Sequence, residues 1–285
     1  METTTCGRRF GGWLAASVLL LTPLASAAEP GRFLVYYSDQ APVEAFEAYD
    51  LLVLDSRYHP PLEPLAHQGK TLLGYLSLGE INRDHPHFRA VQADGILLDE
   101  NPHWKGSYRV DLRSRAWTRR VVEHLIPEIL RQGFDGLFLD TLDDAPHLER
   151  LDPERFRGMT EAAARLVRTI RLHYPRAVIM VNRAYELLPG VERQIDLVLG
   201  ESVRADYDFD AKRYFVVDDA LYRTQVELLR QAKTRRPDLR VLTLDYWDPD
   251  DADGIAAIYR EQRANGFEPY VATVELDRIV REPRP

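Results

Sequence analysis

The sequence predicts one α/β domain folded as a (β/α)8 TIM barrel. Three observations carry this prediction. Eight short apolar runs rich in β-branched and aromatic residues recur along the chain, separated by segments with helical periodicity. The runs are continuously apolar rather than alternating, which is typical of parallel strands covered by helices. The chain has 285 residues with no linker rich in Pro, Gly or Ser, which suits a single barrel of this class.

The predicted strands are residues 33–38, 51–55, 71–79, 136–140, 177–182, 197–202, 240–246 and 270–275. Amphipathic segments lie between them, such as the one that carries Trp117, Val121, Leu125 and Ile129. The alternative fold, an open doubly wound sheet that binds a dinucleotide, needs a Gly-rich turn after the first strand, and none is present. The longest stretch without clear periodicity, residues 80–113, is expected to be an irregular active-site loop.

The N-terminus has the pattern of a secretory signal peptide. Arg8 and Arg9 precede an apolar run that ends in small residues at 25–28. The alternative is a membrane anchor, but Thr22-Pro23 interrupts the run, and about 20 apolar residues are needed to span a bilayer. We therefore expect a signal peptide at 1–28, the barrel domain at 29–285, a periplasmic or secreted location, and no membrane span after cleavage.

The composition excludes several classes of function. The formal net charge is −8, and removing the predicted signal, with two Arg and one Glu, makes it −9. This charge argues against nucleic acid as a partner and favours a cationic ligand, although it would also simply keep a monomeric domain soluble. The single cysteine, Cys6, lies in the predicted signal, so the mature chain, expected to be a monomer, has no thiol chemistry.

Polar side chains stand at the C-terminal ends of the predicted strands, where a barrel carries its functional groups. Asp140 and Glu201 are the strongest candidates, because each is set directly on a hydrophobic strand and burying an unpaired carboxylate costs several kcal/mol. The other polar candidates are Asp55, Glu80, Asp143, Asn182, Asp245 and Asp248. Helix capping is an alternative role for Asp143.

Aromatic residues at the same rim would offer faces for sugar rings. The candidates for substrate binding are Tyr37, Tyr246 and Trp247. Trp104 and Tyr185 are further aromatic residues at this rim, whereas Tyr75 is expected to pack in the core.

Three uses of these carboxylates compete. Metal binding has little support, because residues 245–254 lack the spacing of a calcium loop and His85, His87 and His103 form only a weak zinc pattern, so we expect neither metal nor cofactor. Ser-His-Asp chemistry lacks its GxSxG turn. Glycoside cleavage by a carboxyl pair fits best. The ends of alternate strands are about 10 Å apart, from which Asp140 and Glu201 can lean in to the ~5–5.5 Å of a retaining enzyme, with an inverting gap left open.

Five segments together resemble glycoside hydrolase family 114, the endo-α-1,4-polygalactosaminidase barrel, and the hydrolase part of bacterial proteins that process the Pel exopolysaccharide. They are YLSLGE (75–80), GFDGLFLDTLD (133–143), VNRAYELL (181–188), GESV (200–203) and LDYWD (244–248). The resemblance implies an endo-acting enzyme for a cationic, partly deacetylated amino-sugar polysaccharide, with Asp140 as nucleophile and Glu201 as general acid/base. A glycosidase of another α-linked polysaccharide and a non-catalytic carbohydrate-binding barrel are the alternatives.

Overall fold

The computed structural model describes residues 1–2 and 32–283 and confirms the predicted (β/α)8 barrel. Eight parallel strands, here β1 to β8, are Phe33–Tyr36, Leu51–Leu54, Thr71–Ser77, Gly136–Asp140, Val178–Asn182, Leu197–Glu201, Arg240–Tyr246 and Glu268–Ala272. They pair in chain order, and β8 returns alongside β1 to give a nearly closed barrel. Most of the predicted signal peptide lies outside the described residues.

Helices surround the barrel. The α-helices are Leu62–His67, Phe88–Ala93, Arg115–Arg120, Ile126–Leu130, Asp144–Leu151, Met159–His173, Leu188–Val191, Asp219–Arg235 and Ala252–Ala264, with a 3-10 turn at Val43–Phe46. One π-helical turn, Val121–Leu125, joins two of these segments just before Pro127. Proline lacks an N–H and its ring crowds the carbonyl four residues earlier, and the wider turn accommodates this. None of the helices in the described ranges is long and apolar enough to cross a membrane.

Side chains alternate between the barrel interior and the surrounding helices along each strand. In β7, Tyr246 faces the interior, because it contacts Glu201, while Asp245 faces the outer helix Ala252–Ala264, where it contacts Gln262. The outer layer packs tightly, since a Cβ at Gly74 of β3 would lie 2.5 Å from Ile129 Cγ2. This alternation decides which strand-end residues reach the site.

Two insertions stand at the C-terminal ends of the strands. The first insert follows β3 and contains a three-stranded antiparallel sheet of Glu80–Asn82, Leu97–Glu100 and Ser107–Val110. The expectation of an irregular loop at 80–113 is therefore wrong. These strands are short and mostly half-exposed, so they lack the apolar runs that reveal barrel strands. The second insert, the hairpin, follows β6 and pairs Ala205–Asp208 with Arg213–Val216.

Candidate active site

Inward-facing side chains from six strands meet at the C-terminal end of the barrel. They are Tyr37, Tyr75, Asp140, Asn182, Glu201 and Tyr246, which lie at or near the ends of β1, β3, β4, β5, β6 and β7 in turn. The two strongest carboxylate candidates are thus brought together by three adjacent strands.

Asn182 bridges the two carboxylates. Its Nδ2 donates to Asp140 Oδ1 at 2.9 Å and to Glu201 Oε2 at 2.6 Å. Because an ionised carboxylate can only accept, Asp140 requires the Nδ2 side of the amide. The two distances add to 5.5 Å, so the two acceptor oxygens lie no farther apart than this. Asn182 is buried, which makes the bridge a fixed part of the site.

Each carboxylate also receives a tyrosine hydroxyl. Tyr75 donates to Asp140 Oδ2 at 2.9 Å, and Tyr246 donates to Glu201 Oε1. The prediction that Tyr75 only packs in the core is therefore wrong. Its ring lies inside the barrel, but its hydroxyl hydrogen-bonds to Asp140 in the site. Tyr37 contacts the Tyr75 ring edge-on at 5.4 Å between centroids.

The surroundings of the two carboxylates shift the pKa values of groups in the site. Burial, and then the charge of Asp140, raise the pKa of Glu201, while hydrogen bonds from Tyr246 and Asn182 act in the opposite direction. Burial also raises the pKa of Tyr37, with the charges of Asp140, Glu201 and Asp55 adding to the effect. A raised pKa keeps a proton on Glu201 at higher pH, which is the property of a general acid.

The backbone turns sharply after the three central residues. Each is followed by a non-glycine residue with positive φ: Thr141 (60°), Arg183 (48°) and Ser202 (52°). This conformation is uncommon outside glycine and clusters at functional sites. The turns end the strands directly beyond Asp140, Asn182 and Glu201.

Contacts with the end of β3 hold Thr141 in this conformation. The N–H of Gly79 donates to Thr141 Oγ1 at 2.7 Å, and the Ser77 hydroxyl lies 2.8 Å from the same oxygen. A Cβ at Gly79 would lie 2.0 Å from the carbonyl oxygen of Thr141, so only glycine fits there. The segment around YLSLGE therefore supports the position of Asp140.

A second acidic group stands beside the central pair. Glu80 is buried and accepts from Asn101 Nδ2 at 2.5 Å and from Ser107 Oγ at 2.6 Å, so the first insert holds it. Arg109 Nε donates to Asp144 Oδ1 at 3.2 Å and lies 4.0 Å from Glu80 Oε1. Burial and the charge of Glu80 raise the pKa of Asp144 to about 8, against the attraction of Arg109.

Asp144 and Arg109 were not among the candidates from sequence. A signal for Asp144 exists, since it lies immediately after Asp143 in the same acidic segment. Asp143 itself is half-exposed, and its Oδ2 lies 3.8 Å from Arg183 Nε. Its side chain makes no capping hydrogen bond at the start of Asp144–Leu151, so the capping alternative is not what the structure shows.

The prediction that Asp245 is a site residue is wrong. It is fully buried, and its oxygens accept from the N–H groups of Arg204 (2.6 Å) and Ala205 (2.9 Å) and from Gln262 Nε2 (2.8 Å). Burial raises its pKa to about 6, partly offset by these bonds. Because strand residues alternate and Tyr246 faces inward, Asp245 faces outward. It ties the start of the hairpin to the last helix and does not meet the substrate side.

The remaining candidates lie farther out on the rim. Asp55 accepts from the N–H groups of Arg57 and Tyr58 and shapes the loop after β2. Trp247 donates from Nε1 to Asp251 Oδ2 at 2.9 Å, and Asp248 is exposed and accepts from the Asp250 N–H. The hydrogen bonds of Trp247 and Asp248 go to the loop before the last helix, and the structure does not bring these two to the central pair.

Metal-ligating side chains do not cluster in the part of the chain that the structure describes: no group of three or more His, Cys, Asp or Glu could hold an ion there. His87 contacts the rings of His85 and His124 and bonds to Glu128. His103 takes no part in these ring contacts.

Comparisons with known proteins agree with the geometry. The model of glycoside-hydrolase family GH114 matches residues 24–284. The glycoside hydrolase domain of PelA from Pseudomonas aeruginosa aligns with a TM-score of 0.77 at 27% identity, over 88% of this chain and 98% of that domain. Ega3 of Aspergillus fumigatus, solved with galactosamine, aligns over 89% of this chain and 95% of its own with a TM-score of 0.63; at 13% identity this shows the fold alone. An uncharacterized protein of Deinococcus radiodurans is 27% identical over 221 residues, which are 75% of this chain and 68% of that relative.

Proposed function

Because the chain belongs to glycoside-hydrolase family GH114, and is thus a glycoside hydrolase, we propose that it cleaves polymers of α-1,4-linked galactosamine and N-acetylgalactosamine. The observation that carries this proposal is the carboxylate pair of Asp140 and Glu201 bridged by one buried amide. We also propose that the enzyme cleaves bonds in the interior of the polysaccharide and that the anomeric configuration is retained.

Asp140 is the proposed nucleophile, and Glu201 the proposed general acid/base. In the first step Glu201 gives its proton to the glycosidic oxygen while Asp140 attacks the anomeric carbon, so the leaving chain departs as an alcohol. In the second step the Glu201 carboxylate takes a proton from water, whose oxygen displaces Asp140. The raised pKa of Glu201 supports its role as the acid, and the donors Tyr75 and Asn182 stabilise negative charge on Asp140.

The separation of the pair supports retention. Retaining enzymes hold their carboxyl groups about 5–5.5 Å apart, whereas inverting enzymes leave about 6.5–9.5 Å for a water molecule. The oxygens that share Asn182 are within 5.5 Å of each other, since their two distances to Nδ2 add to this value.

The charge of the molecule supports an amino-sugar substrate. The net charge of the mature chain is predicted as −9. The charges of Asp140 and Glu80 both act on Asp143, so further carboxylates lie near the pair. Protonated amines of a partly deacetylated polymer would be attracted to this region. The 27% identity with the hydrolase domain of PelA adds support for a related polysaccharide.

Substrate contacts are proposed for the inward and rim residues of the site. They are Tyr37, Asp55, Glu80, Asp143, Asn182 and Tyr246, with Trp247 and Asp248 at the outer edge. A periplasmic or secreted monomer remains our expectation for the mature chain, on the basis of the N-terminal pattern and the acidic composition.

The test is product formation from partly deacetylated α-1,4-galactosaminoglycan by the mature protein and by its Asp140→Asn and Glu201→Gln variants. We expect oligosaccharides from the parent and a loss of about 10²–10⁴-fold in rate for Glu201→Gln, with a comparable loss for Asp140→Asn. Asp238→Asn is the matched control, because this exposed carboxylate lies before β7, at the opposite end of the barrel, and bonds only locally to Arg236.

Equal rates in all four proteins would show that Asp140 and Glu201 do not take part in catalysis. If the parent binds the polymer without cutting it, a carbohydrate-binding barrel replaces the enzyme proposal for this substrate. If it neither binds nor cuts, another α-linked polysaccharide is the substrate, and a panel of such glycans identifies it.

A further inference from the structure

We propose that the two insertions together form a binding surface for the amino-sugar chain outside the cleavage site. The surface, here the aromatic strip, consists of Trp104 from the first insert and Tyr207, Phe209 and Tyr214 from the hairpin. The inference rests on the proposed function, because its occupant is the same polymer, but its site shares no residue with the carboxylate pair.

The four rings form an unbroken series. Trp104 contacts Phe209 with 5.4 Å between ring centroids, Phe209 contacts Tyr207 at 5.2 Å, and Tyr207 contacts Tyr214 at 4.9 Å. Trp104 and Phe209 are 57% and 56% exposed. Scattered exposed aromatics are common on proteins, but rings from two separate loops that meet and stay open to solvent indicate a binding surface.

The strip is connected to the site at both of its ends. Asn101 and Ser107 flank the turn that carries Trp104, and both donate to Glu80 beside the carboxylate pair. The N–H of Ser107 also donates to the carbonyl of Trp104 at 2.9 Å. The rigid attachment of this turn means that a chain held on Trp104 would be held in a defined position relative to Glu80.

The hairpin end of the strip also starts near the site. It begins four residues after Glu201, and its Asp206 lies in the electrostatic surroundings of Arg183 at the site. The first insert follows β3 and the hairpin follows β6, so the strip joins the loops on both sides of β4 and β5, the strands of Asp140 and Asn182. A polymer leaving the carboxylate pair on this side would meet the strip.

The chemistry of the strip matches a sugar polymer with free amines. Pyranose rings present apolar C–H faces that pack on aromatic rings, and an ammonium group is attracted to a ring face. The hairpin sequence alternates aromatic and acidic residues, with Asp206, Asp208 and Asp210 between and beside Tyr207 and Phe209. Because side chains alternate along a strand, Asp206 and Asp208 lie on the opposite face of the hairpin. The ring faces themselves would therefore attract the amines, whereas a neutral glycan would only pack on them.

The hairpin provides its own control. Cross-strand partners share a face, and Tyr207 pairs with Tyr214 whereas Asp206 pairs with Phe215. Phe215 therefore lies on the face opposite the strip and is 37% exposed. A Phe215→Ala variant removes an exposed ring from the same hairpin without touching the strip.

The experiment compares Trp104→Ala, Phe209→Ala, the double variant and Phe215→Ala in the mature chain. Each is assayed on the partly deacetylated polymer and on an aryl α-galactosaminide that fills only the cleavage site. We expect kcat/KM for the polymer to fall about tenfold in the double variant, given the usual strength of ring contacts, with the aryl substrate unaffected. Phe215→Ala should match the parent on both substrates. Equal losses on both substrates, or none on the polymer, would overturn the proposal.

A binding measurement tests this proposal independently of the proposed function. The same substitutions are placed in a Glu201→Gln background, and affinity for the partly deacetylated polymer is measured by calorimetry with a fully N-acetylated polymer alongside. Weaker binding in the strip variants alone supports the strip whether or not the parent cleaves this polymer. Unchanged affinity, or no binding by the Glu201→Gln protein itself, overturns it. Circular dichroism and Trp104→Phe, which keeps a ring, separate a loss of contact from a loss of fold.

Discussion

Glu201 and Asp245 are carboxylates at the ends of adjacent strands, yet they occupy opposite sides of the same sheet. Glu201 pairs in register with Leu244, the residue just before Asp245. Glu201 faces the barrel interior, beside a second carboxylate. Asp245 faces the outer helix and is closed off by three donors. A one-residue step along a strand therefore separates a carboxylate placed for chemistry from one placed for stability.

The largest predicted effect is a loss of stability when Asp245 is replaced. Asp245→Ala leaves two backbone N–H groups and the Gln262 amide without their acceptor, and we expect the free energy of unfolding to fall by about 3 kcal/mol or more. Activity per folded molecule should stay near that of the parent on an aryl α-galactosaminide, which fills only the cleavage site. Chemical denaturation and active-site-normalised rates measure both.

The pH dependence of that stability loss has a defined sign. Burial raises the pKa of Asp245 to about 6 in the folded state, whereas an exposed Asp has a pKa of about 3.9. The stabilisation is therefore complete below about pH 4 and declines as the pH rises through about 6. Asp245→Ala should cost more at pH 5 than at pH 8, and the reverse order would contradict this description of the buried carboxyl.

The next effect concerns the turn after Asp140. Thr141→Val removes the oxygen that accepts from Gly79 and keeps the branched shape, so the positive-φ turn loses its support. We expect kcat to fall about tenfold, since the lost contact positions the nucleophile, while KM changes little. Thr169→Val is a matched control, because that hydroxyl donates to the carbonyl of Arg165 on the exposed side of the helix Met159–His173. Losses of equal size in both variants would show that Thr141 has no special role.

The smallest effect is a displacement of the pH profile. Tyr246→Phe removes a hydrogen bond that lowers the pKa of Glu201, so this pKa should rise further. As a general acid must be protonated, kcat/KM falls when the pH rises through the pKa of Glu201, and the alkaline limb should move to higher pH. Tyr75→Phe is the control because the Tyr75 hydroxyl donates to Asp140 and not to Glu201. A limb that moves to lower pH in Tyr246→Phe would contradict the assignment of the acid.

The sequence was sufficient for the barrel and for bringing Asp140 and Glu201 into one site. Continuous apolar runs reveal buried parallel strands, and strand ends of a barrel converge. The prediction that Asp245 lies in the site is wrong because proximity to a strand end does not specify the face of the sheet. Counting from Tyr246 in steps of two would have placed Asp245 outside, and the same counting from the end of β3 would have placed Tyr75 inside.

The partners of Glu80 were beyond what the sequence alone could predict. Asn101, Ser107 and Arg109 reach the site only because the first insert folds back as a small antiparallel sheet. Its strands are half-polar, and their pairing depends on contacts with the barrel rather than on local pattern. The aromatic strip was missed for the same reason, since Trp104 and Phe209 are 105 positions apart along the chain and meet only through two insertions.

If Asp140 and Glu201 cleave the glycan by a two-step mechanism, the covalent intermediate can be trapped. The Glu201→Gln variant is given an activated 5-fluoro analogue of an α-galactosaminide, which keeps the 2-amino group, and the digested protein is analysed by mass spectrometry. We predict one added sugar on the peptide that contains Asp140 and none when Asp140→Asn is combined with it. Hydrolysis by the parent that proceeds with inversion, or an adduct on another carboxylate, would exclude this mechanism.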